Sequence, residues 1–402
     1  MESMLRFGER DCPVNGADFQ RLARDAYERH ARPRCMCRSP GIEMYIARVG
    51  GQFIVKRMPG TGSRHAMSCG SYEAPAALSG LGDVLGGAIR SLPDEDGTIH
   101  LRFEFTMTQR RPAAPAGEAT PGGQAGQVAS DGGRLSLRGL LHYLWSEAGL
   151  HRWSPAMHGK RNWFVVRKYL MMGAQNKVAR AGLLGELLYV PEVFSVDAKD
   201  AIISRRIAFF ERTRTGTGRA RRLMILVAEV KKLEDARFGR RLVAWHLHDC
   251  PFYLRRDIGD RLVRRFAPEL DLWSAYPETH LIACATFGIA DSGVPAIEEC
   301  SLMLADSHWL PFETTSERSL IERLVVQHRR FEKCLRYNLP ADRPLASAVL
   351  SDTAEPVALY VRSGDSPSDE EAPSSPDDES GLREWFWHSG QETMPALPPP
   401  RC

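Results

Sequence analysis

Residues 35–69 read CMCRSPGIEMYIARVGGQFIVKRMPGTGSRHAMSC. Two alternating stretches, EMYIAR and QFIVKR, flank a Val-Gly-Gly sequence at 49–51, and glycine adopts the positive φ angles that tight turns require. The pattern therefore predicts a β-hairpin. Because closely spaced cysteine and histidine residues lie on both sides of it, the stretch predicts a small module built around this hairpin.

The cysteine and histidine residues form two pairs, Cys35 with Cys37 and His65 with Cys69. Structural zinc takes four thiolate or imidazole ligands, usually as two close pairs, and folding of the hairpin could bring both pairs to one end. We therefore predict a zinc-ribbon-like site. Cys-x-Cys is less common than Cys-x-x-Cys, and three free cysteines with a surface histidine are the alternative. Four protein ligands would leave no position for a substrate, which predicts a structural role for the metal.

Weaker signals surround this stretch. Residues 16–31 have helical apolar spacing that ends before Pro33, and residues 98–108, TIHLRFEFTMT, alternate as a strand does. The next residues are rich in Pro, Gly and Ala, which is typical of a flexible linker. The predicted organisation is a leader with a short helix over 1–34, a zinc-ribbon-like β module over 35–110 and a linker over 111–133.

The following part of the chain alternates helical stretches such as LRGLLHYLWSEAGL with strand-like runs such as AIISRRIAFF, RLMILVAEV and THLIACATF. We therefore predict an α/β or α+β core over 134–362, which could divide near residue 270. Within it, a capping box at Thr314 and Glu317 predicts a long helix whose apolar stripe continues to Leu335.

The C-terminal segment 363–402 is predicted to be an acidic disordered tail. Residues 363–380 carry seven acidic side chains and no basic one, and they include no large apolar residue. The cluster Trp385, Phe386 and Trp387 within this tail is either a docking motif for a protein partner or a strand that returns to the core.

The composition is that of a globular protein, with 402 residues, 43% apolar and 26% charged. Nine cysteines, an odd number, argue against a disulfide framework. No apolar run approaches the roughly 20 residues of a membrane helix, and the first residues lack a signal peptide. We therefore predict a cytoplasmic protein without membrane association. The oligomeric state is left open.

Positive charge is concentrated between residues 134 and 267, which hold 27 Lys or Arg against 12 Asp or Glu. This excess predicts DNA or RNA as a partner, and a solvated Arg-rich surface is the alternative. Inside this region, FERTRTGTGRARR predicts an arginine-rich hairpin that contacts a nucleic-acid backbone, or else a flexible loop. Its arginines are Arg212, Arg214, Arg219, Arg221 and Arg222.

One strand-like run ends in Glu229-Val230-Lys231, the Glu-x-Lys element of restriction-type nucleases, in which a carboxylate holds Mg²⁺ and the lysine positions water. If AIISRRIAFF is a strand paired antiparallel to it, Asp200 lies beside Glu229. Glu186 could supply a further carboxylate. The alternative is that these are solvated charges at a strand end.

Two further patterns are less specific. A partial copy of the nuclease pattern comprises Glu317, Asp352, Tyr360 and Arg362, for which helix capping and turn formation are the alternative. His246, His248 and Cys250 would lie on one face of a strand, where they could chelate a metal or simply sit in a half-buried sheet.

Several longer strings resemble the bacterial domain-of-unknown-function family numbered 1173: RPRCMC, MYIARVGGQFIVKRMPGTGSRHAMSC with SYEAP after it, AEVKKLE, ETHLIACATF, HWLPFE and RRFEKCLRYNLP with SAVLSDT. The likeness spans about Arg32 to Tyr360. Members of that family are associated with plasmids and integrative conjugative elements, so the resemblance implies a mobile genetic element as the setting. It implies no reaction, because the family has no assigned activity.

The leading hypothesis is therefore a zinc-containing, nucleic-acid-binding accessory protein of a bacterial mobile genetic element. A Mg²⁺-dependent nuclease that uses Asp200, Glu229 and Lys231, active or degenerate, is the second hypothesis. The third is an adaptor whose acidic, Trp-bearing tail recruits a protein partner.

Overall fold

The computed structural model describes residues 4–401 except 50, 59, 92–97, 111–131, 215–219, 291, 364–381 and 391–392. Most of the predicted linker, the acidic part of the tail, Arg219 and the side chain of Arg214 lie outside the described residues. In the described part of the chain, no helix is long and apolar enough to cross a membrane.

The first sheet contains the predicted hairpin. Its strands, in spatial order, are β2 (Arg10–Pro13), β1 (Met4–Phe7), β3 (Arg34–Cys35), β4 (Ile42–Val49) and β5 (Gln52–Arg57), all antiparallel. The hairpin is β4–β5, and the predicted first helix is α1 (Phe19–Glu28), so both predictions are confirmed. Phe19 and Ala23 of α1 pack into a small apolar core with Leu5, Met44 and Phe53.

A second, four-stranded sheet joins residues far apart in the chain. Its strands are β6 (Ile89–Ser91), β7 (Ile99–Leu101), β10 (Lys177–Ala179) and β11 (Gly182–Leu183). The prediction of one strand over 98–108 is correct only near the two ends of that range, where β7 and β8 (Thr108–Arg110) lie. β8 pairs with β13 (Ala220–Arg222). Between them the backbone bonds irregularly, with Arg102 N donating to Ala88 O and Glu104 N to Leu135 O.

The largest sheet closes into a barrel. Its strands are β12 (Leu188–Tyr189), β14 (Met224–Ala236), β15 (Gly239–Ala244), β16 (Leu247–Arg255), β17 (His280–Ile289), β18 (Pro295–Ala305) and β19 (Pro311–Phe312). Five of them form a ring in the order β14, β15, β16, β18, β17 and back to β14. β16 and β18 are parallel, and the other four pairs are antiparallel.

The length of β14 makes this closure possible. Its first part, from Met224 to Glu229, pairs with β17, and its second part, from Val230 to Ala236, pairs with β15 across a β-bulge. A bulge bends and twists a strand, so one strand can serve both sides of the ring. Helices α7 (Arg256–Arg265) and α8 (Ala267–Ala275) connect β16 to β17.

The predicted strand AIISRRIAFF is instead helix α6 (Lys199–Glu211), so that prediction is wrong. Ile202 and Phe209 are seven residues apart, a helical spacing. Phe209 packs on Tyr189 of β12, and Phe210 contacts Phe252 and Phe287 of the barrel. The remaining helices before the barrel are α2 (Leu81–Val84), α3 (Leu137–Glu147), α4 (Trp163–Gly173) and α5 (Leu184–Leu187).

The last sheet contains β9 (Arg152–Trp153), β20 (Phe331–Lys333), β21 (Ala348–Leu350), β22 (Val357–Ser363) and β23 (Arg383–Ser389). The tryptophan cluster of the tail is therefore a strand that returns to the core, since β23 pairs parallel with β22. The long helix predicted through Leu335 is too long. Helix α9 (Thr315–Val326) ends where His328 adopts a φ of 54° and Arg329 N donates to Leu324 O, as in a Schellman motif.

The predicted fold class is confirmed: the chain has a mixed α/β architecture whose N-terminal region is β-rich and contains the cysteine and histidine cluster. Strand β1 pairs with β3 through Leu5 and Cys35, so the leader segment contributes to the first sheet.

Candidate metal centre and barrel face

The hairpin brings the two cysteine and histidine pairs to one place. Cys35 ends β3 and Cys37 lies in the turn that follows, while His65 and Cys69 follow the hairpin and a short 3₁₀ turn over Gly62–Arg64. These four residues, the Cys/His cluster, each offer one ligand atom, and all four atoms lie within 4.8 Å of one another. In the described part of the chain, no other group of three or more His, Cys, Asp or Glu side chains converges in this way.

The distances within the Cys/His cluster fit a tetrahedral metal site. The Cys35 and Cys69 sulfurs are 3.6 Å apart, and His65 Nδ1 lies 3.4 Å from Cys37 Sγ and 3.8 Å from Cys69 Sγ. Metal bonds of about 2.3 Å to sulfur and about 2.1 Å to nitrogen place tetrahedral ligand atoms about 3.6 to 3.8 Å apart. The four residues could therefore hold one metal ion.

Hydrogen bonds and burial around the Cys/His cluster favour the ligand forms of Cys37, His65 and Cys69. Ala66 N donates to Cys37 Sγ and Ser71 N to Cys69 Sγ, both at 3.4 Å. Hydrogen bonds from Cys35, and to a smaller extent from Ser71 N and His65, lower the pKa of the Cys69 thiol to about 4. Burial lowers the pKa of His65, which favours the neutral imidazole, the form that binds metals.

The segment after Cys69 is bound to the rest of the protein by several polar contacts. Arg152, on β9, donates from Nη1 to Gly70 O at 3.0 Å and from Nη2 to Tyr72 O at 2.6 Å. Glu73 forms an ion pair with Arg57 of the hairpin, and Ala74 N donates to the buried carboxylate of Glu332 on β20. The Cys/His cluster is thus mechanically connected to the last sheet.

Asp200 does not lie on a strand paired with the strand of Glu229, as the nuclease hypothesis requires. Asp200 lies exposed in the first turn of α6, and the partners of β14 are β12, β15 and β17. The proposed antiparallel pairing that would set Asp200 beside Glu229 is therefore wrong. Glu229 accepts a 2.7 Å hydrogen bond from His280 Nδ1, and Lys231 Nζ lies 4.7 Å from the centre of the Trp245 ring. Glu186 lies exposed on the short helix α5.

The other predicted carboxylates have structural partners. The Glu317 carboxylate accepts a hydrogen bond from Glu313 N, just before the N-cap residue Thr314 of α9, and pairs with the buried Lys333 at 2.8 Å. The Asp352 carboxylate accepts hydrogen bonds from both Nε and Nη2 of Arg329. Tyr360 stacks on Phe386 of β23, and Arg362 lies over the same ring.

The predicted chelating face of His246, His248 and Cys250 is not formed. His246 lies before β16 in the turn that leads into it, with a φ of 63°, and its Nδ1 accepts from Phe194 N at 3.3 Å. A left-handed turn residue does not continue the alternation of the strand, so His246 does not share a strand face with the other two side chains.

Of the arginines predicted to form a nucleic-acid-binding hairpin, the structure describes the side chains of Arg212, Arg221 and Arg222, which lie at the junction of α6 and β13. Arg221 Nη1 donates to Ile289 O at 3.0 Å, Arg222 Nη2 donates to Ala181 O at 2.7 Å, and the guanidinium of Arg212 lies 5.3 Å from the centre of the Phe209 ring. Two of the three described guanidinium groups therefore bind backbone carbonyls of the fold itself.

Sequence reasoning missed a second surface, on the outside of the barrel. Arg241 on β15 and Tyr253 on β16 are direct cross-strand partners that point outward, because the adjacent pair Leu242 and Phe252 is fully buried inside. Phe238, 79% exposed, lies in the β14–β15 turn, and Trp245, 42% exposed, lies in the β15–β16 turn. We call Phe238, Arg241, Trp245 and Tyr253 the barrel face.

Basic side chains accompany the aromatic side chains of the barrel face. Arg237 lies 5.0 Å from the centre of the Phe238 ring, and Lys231 lies over Trp245. Arg241 bonds to Glu234 with both Nε and Nη2. Between residues 231 and 257 there are seven Lys or Arg against four Asp or Glu. The alternation of arginines and aromatic residues in ARFGRRLVAW and PFYLRR was the available signal.

A family model described as a protein of unknown function, DUF1173, matches residues 5–390. The match extends beyond the span of the resembling strings at both ends and includes β1 and β23. The comparisons with curated proteins and with solved structures gave no match.

Proposed function

The chain belongs to the DUF1173 family of proteins of unknown function, and we propose that it is a zinc-stabilised protein that binds single-stranded nucleic acid on the barrel face. We further propose that it acts as an accessory protein of a mobile genetic element, the setting that the sequence resemblance implies.

The chemistry of the Cys/His cluster supports zinc as its metal. Three sulfurs and one imidazole nitrogen are a common ligand set of structural zinc. The zinc ion is not redox-active, and in structural sites it is bound by four ligands in a tetrahedral arrangement. Cys35, Cys37, His65 and Cys69 would hold the ion, and four protein ligands leave no open position for a substrate. The bound ion would fix the two ends of the hairpin segment to each other.

Metal analysis tests the zinc proposal. We expect about one zinc per chain in the purified protein and loss of that zinc in Cys35→Ser, because a hydroxyl is a much poorer ligand than a thiolate. Cys250→Ser, a change at a half-buried cysteine outside the Cys/His cluster, is the matched control and should retain the metal. A folded wild-type protein without zinc would refute the proposal.

The connectivity of the barrel is the observation that carries the nucleic-acid proposal. Five strands close into a ring in the order β14, β15, β16, β18, β17. In chain order these are strands one, two, three, five and four. The third strand, β16, is parallel to the fifth, β18, and helices connect β16 to the fourth strand, β17. This is the connectivity of the OB fold, which binds oligonucleotides or oligosaccharides on its second and third strands and the adjoining loops. β15 and β16 are the corresponding strands here.

The side chains of the barrel face favour nucleic acid over a sugar. Single-stranded nucleic acid binds where aromatic rings stack with bases and basic groups follow the backbone. Phe238, Trp245 and Tyr253 provide the rings, and Arg237, Arg241 and Lys231 lie beside them. The excess of basic over acidic residues across β14 to β16 favours a polyanion.

Fluorescence anisotropy with an oligothymidylate of about 15 nucleotides tests the proposal, since one OB fold contacts about 4 to 16 nucleotides. A stacked base contributes about 1–3 kcal/mol, so the double variant Phe238→Ala, Tyr253→Ala should bind at least about tenfold more weakly. The affinity of the wild type should also fall as salt concentration rises.

Phe164→Ala is the matched control, because Phe164 is an aromatic residue that is 62% exposed on α4 rather than on the barrel. It should bind as the wild type does. Equal affinity of the double variant and the wild type would exclude the barrel face, and preferential binding of a duplex of the same length would contradict the preference for single strands.

A further inference from the structure

A polar cavity of about 180 Å³ lies between the hairpin, the segment after Cys69 and helix α3. Tyr45, Lys56 and Arg57 of the hairpin line one side, and Tyr143 and Glu147 of α3 line another. The exposed Gly60 and Gly70 are also among its lining residues, so the cavity opens toward solvent. It is separate from the barrel face, whose residues do not line it.

The hairpin directs a lysine into this cavity. Tyr45 and Lys56 are cross-strand partners, and they lie on the face opposite to Met44 and Phe53, which pack in the core beneath α1. Lys56 Nζ has no hydrogen bond and no ion pair with any residue that the structure describes. Burial lowers the pKa of Lys56 to about 8, so the amine still carries its charge at neutral pH.

The neighbouring charges are already neutralised by partners. Lys177 Nζ lies 2.8 Å from Glu147 Oε2, and Arg57 forms an ion pair with Glu73. With these two pairs formed, Lys56 is the cation at the cavity that has no counter-charge in contact among the described residues. Lys56 is half-buried, and a charge that is partly removed from water without a partner is costly, which favours an anion supplied from outside.

Tyr143 provides a second polar group without a partner. Its side chain is 3% exposed and lines the cavity, and its hydroxyl has no hydrogen-bond partner. A buried hydroxyl that donates to nothing costs about 1–3 kcal/mol, whereas a ligand oxygen at this position would recover that free energy. Lys56 Nζ and Tyr143 Oη thus offer two donors to the same cavity.

The rest of the lining limits the size and polarity of a ligand. Four aliphatic side chains also line the cavity: Leu81, Leu85, Ile89 and Ile99. A cavity of about 150 Å³ admits benzene, so this one has room for a ring-sized apolar group together with a small acidic group. It is too small for a nucleotide or a peptide, because pockets for drug-sized ligands begin at about 300 Å³.

We propose that this cavity binds a small organic anion, a carboxylate or a phosphate ester, whose acidic group accepts from Lys56 Nζ and Tyr143 Oη while its apolar part packs against the four aliphatic side chains. The site is independent of nucleic-acid binding, and it makes the junction between the hairpin and α3 a place where a metabolite stabilises the protein.

Isothermal titration of the zinc-loaded full chain, without nucleic acid, tests the proposal with three probes. Benzoate and phenyl phosphate both carry the required anion on a ring, and benzamide has the shape of benzoate without its charge. We expect saturable binding of at least one of the two anions, and at least about tenfold weaker binding of benzamide. The tighter of the two anions identifies the acidic group that the site prefers.

Two variants assign the binding to these residues. Lys56→Met should abolish it, and Tyr143→Phe should weaken it several-fold without loss of stability, since the hydroxyl has no partner to lose. Lys160→Met, a change at an exposed lysine, is the control and should bind as the wild type does. Absence of binding for both anions, or unchanged binding in both Lys56→Met and Tyr143→Phe, would overturn the proposal.

Discussion

His142 is a buried histidine that holds a backbone group of another segment. His142 is a residue of α3, and its Nδ1 accepts a 2.9 Å hydrogen bond from Tyr337 N. Its ring contacts the Tyr337 ring edge-on. Because Nδ1 must remain unprotonated to accept this bond, only the neutral imidazole fits. Burial, together with the nearby charge of Arg138, lowers the pKa of His142 to about 3.

This histidine predicts a loss of stability in acid. Between its ordinary pKa of 6.5 and its folded value of about 3, the unfolded chain binds a proton that the folded chain does not. The free energy of unfolding should therefore fall as pH decreases through that window, by about 1.4 kcal/mol for each pH unit from this residue. Urea denaturation at a series of pH values measures the slope.

Asparagine at this position isolates the contribution of His142. His142→Asn keeps an oxygen near the place of Nδ1 to accept from Tyr337 N but does not titrate, so the dependence of stability on pH should be shallower by about 1.4 kcal/mol per pH unit. The same substitution at the exposed His328 is the control. An unchanged slope in His142→Asn would show that other groups cause the acid sensitivity.

Individual residues differ in how far their roles follow from sequence. The ligands of the Cys/His cluster were predictable because their chemistry and short spacing point to one kind of site. The capping box of Thr314 and Glu317 was correctly placed at the start of α9. The ion pair between Glu317 and Lys333 could not be predicted, because Lys333 was expected within the same continuing helix. Partners that lie across a helix end depend on where that helix stops.

Elements whose contacts are local were predicted well, and elements shaped by distant contacts were not. The β4–β5 hairpin is specified by its own alternation and its glycine turn. In contrast, residues 201–210 contain isoleucines and phenylalanines that suit either a strand or a helix. The contacts of Phe210 with Phe252 and Phe287, more than 40 residues away, accompany the helix.

Two strands of the barrel could be predicted from sequence, but the way the strands pair with one another could not. The runs that form β14 and β17 were predicted as strands from their apolar residues, and both are confirmed. Their closure depends on the bulge within β14 and on the parallel pairing of β16 with β18, whose partners Tyr253 and Ala296 are distant in sequence. Nothing in a single sequence fixes such a pairing, so the barrel face could not be predicted.

At the scale of the whole molecule, the small apolar core of the first sheet is separate from the large core of the barrel in the described part of the chain, and Cys35, Cys37 and Cys69 pack in or against the small one. The first sheet and α1 enclose a small core of ten buried residues, whereas the barrel and the helices on it belong to one extensive core. A small core contributes little stability of its own. The first sheet should therefore depend on metal binding much more than the barrel does.

Hydrogen exchange measured by mass spectrometry tests this dependence. Loss of zinc in Cys35→Ser should accelerate exchange of the β4–β5 hairpin about 100-fold, which corresponds to roughly 3 kcal/mol of local stability, because the two ends of the hairpin segment are no longer held together. Peptides from β14 and β17 should keep the protection of the wild type, since their core does not include the ligands. Cys250→Ser, which leaves the Cys/His cluster intact, should match the wild type in both regions. Equal acceleration in the hairpin and the barrel would instead mean that the protein unfolds as one unit, and unchanged exchange in the hairpin would mean that the metal does not stabilise it.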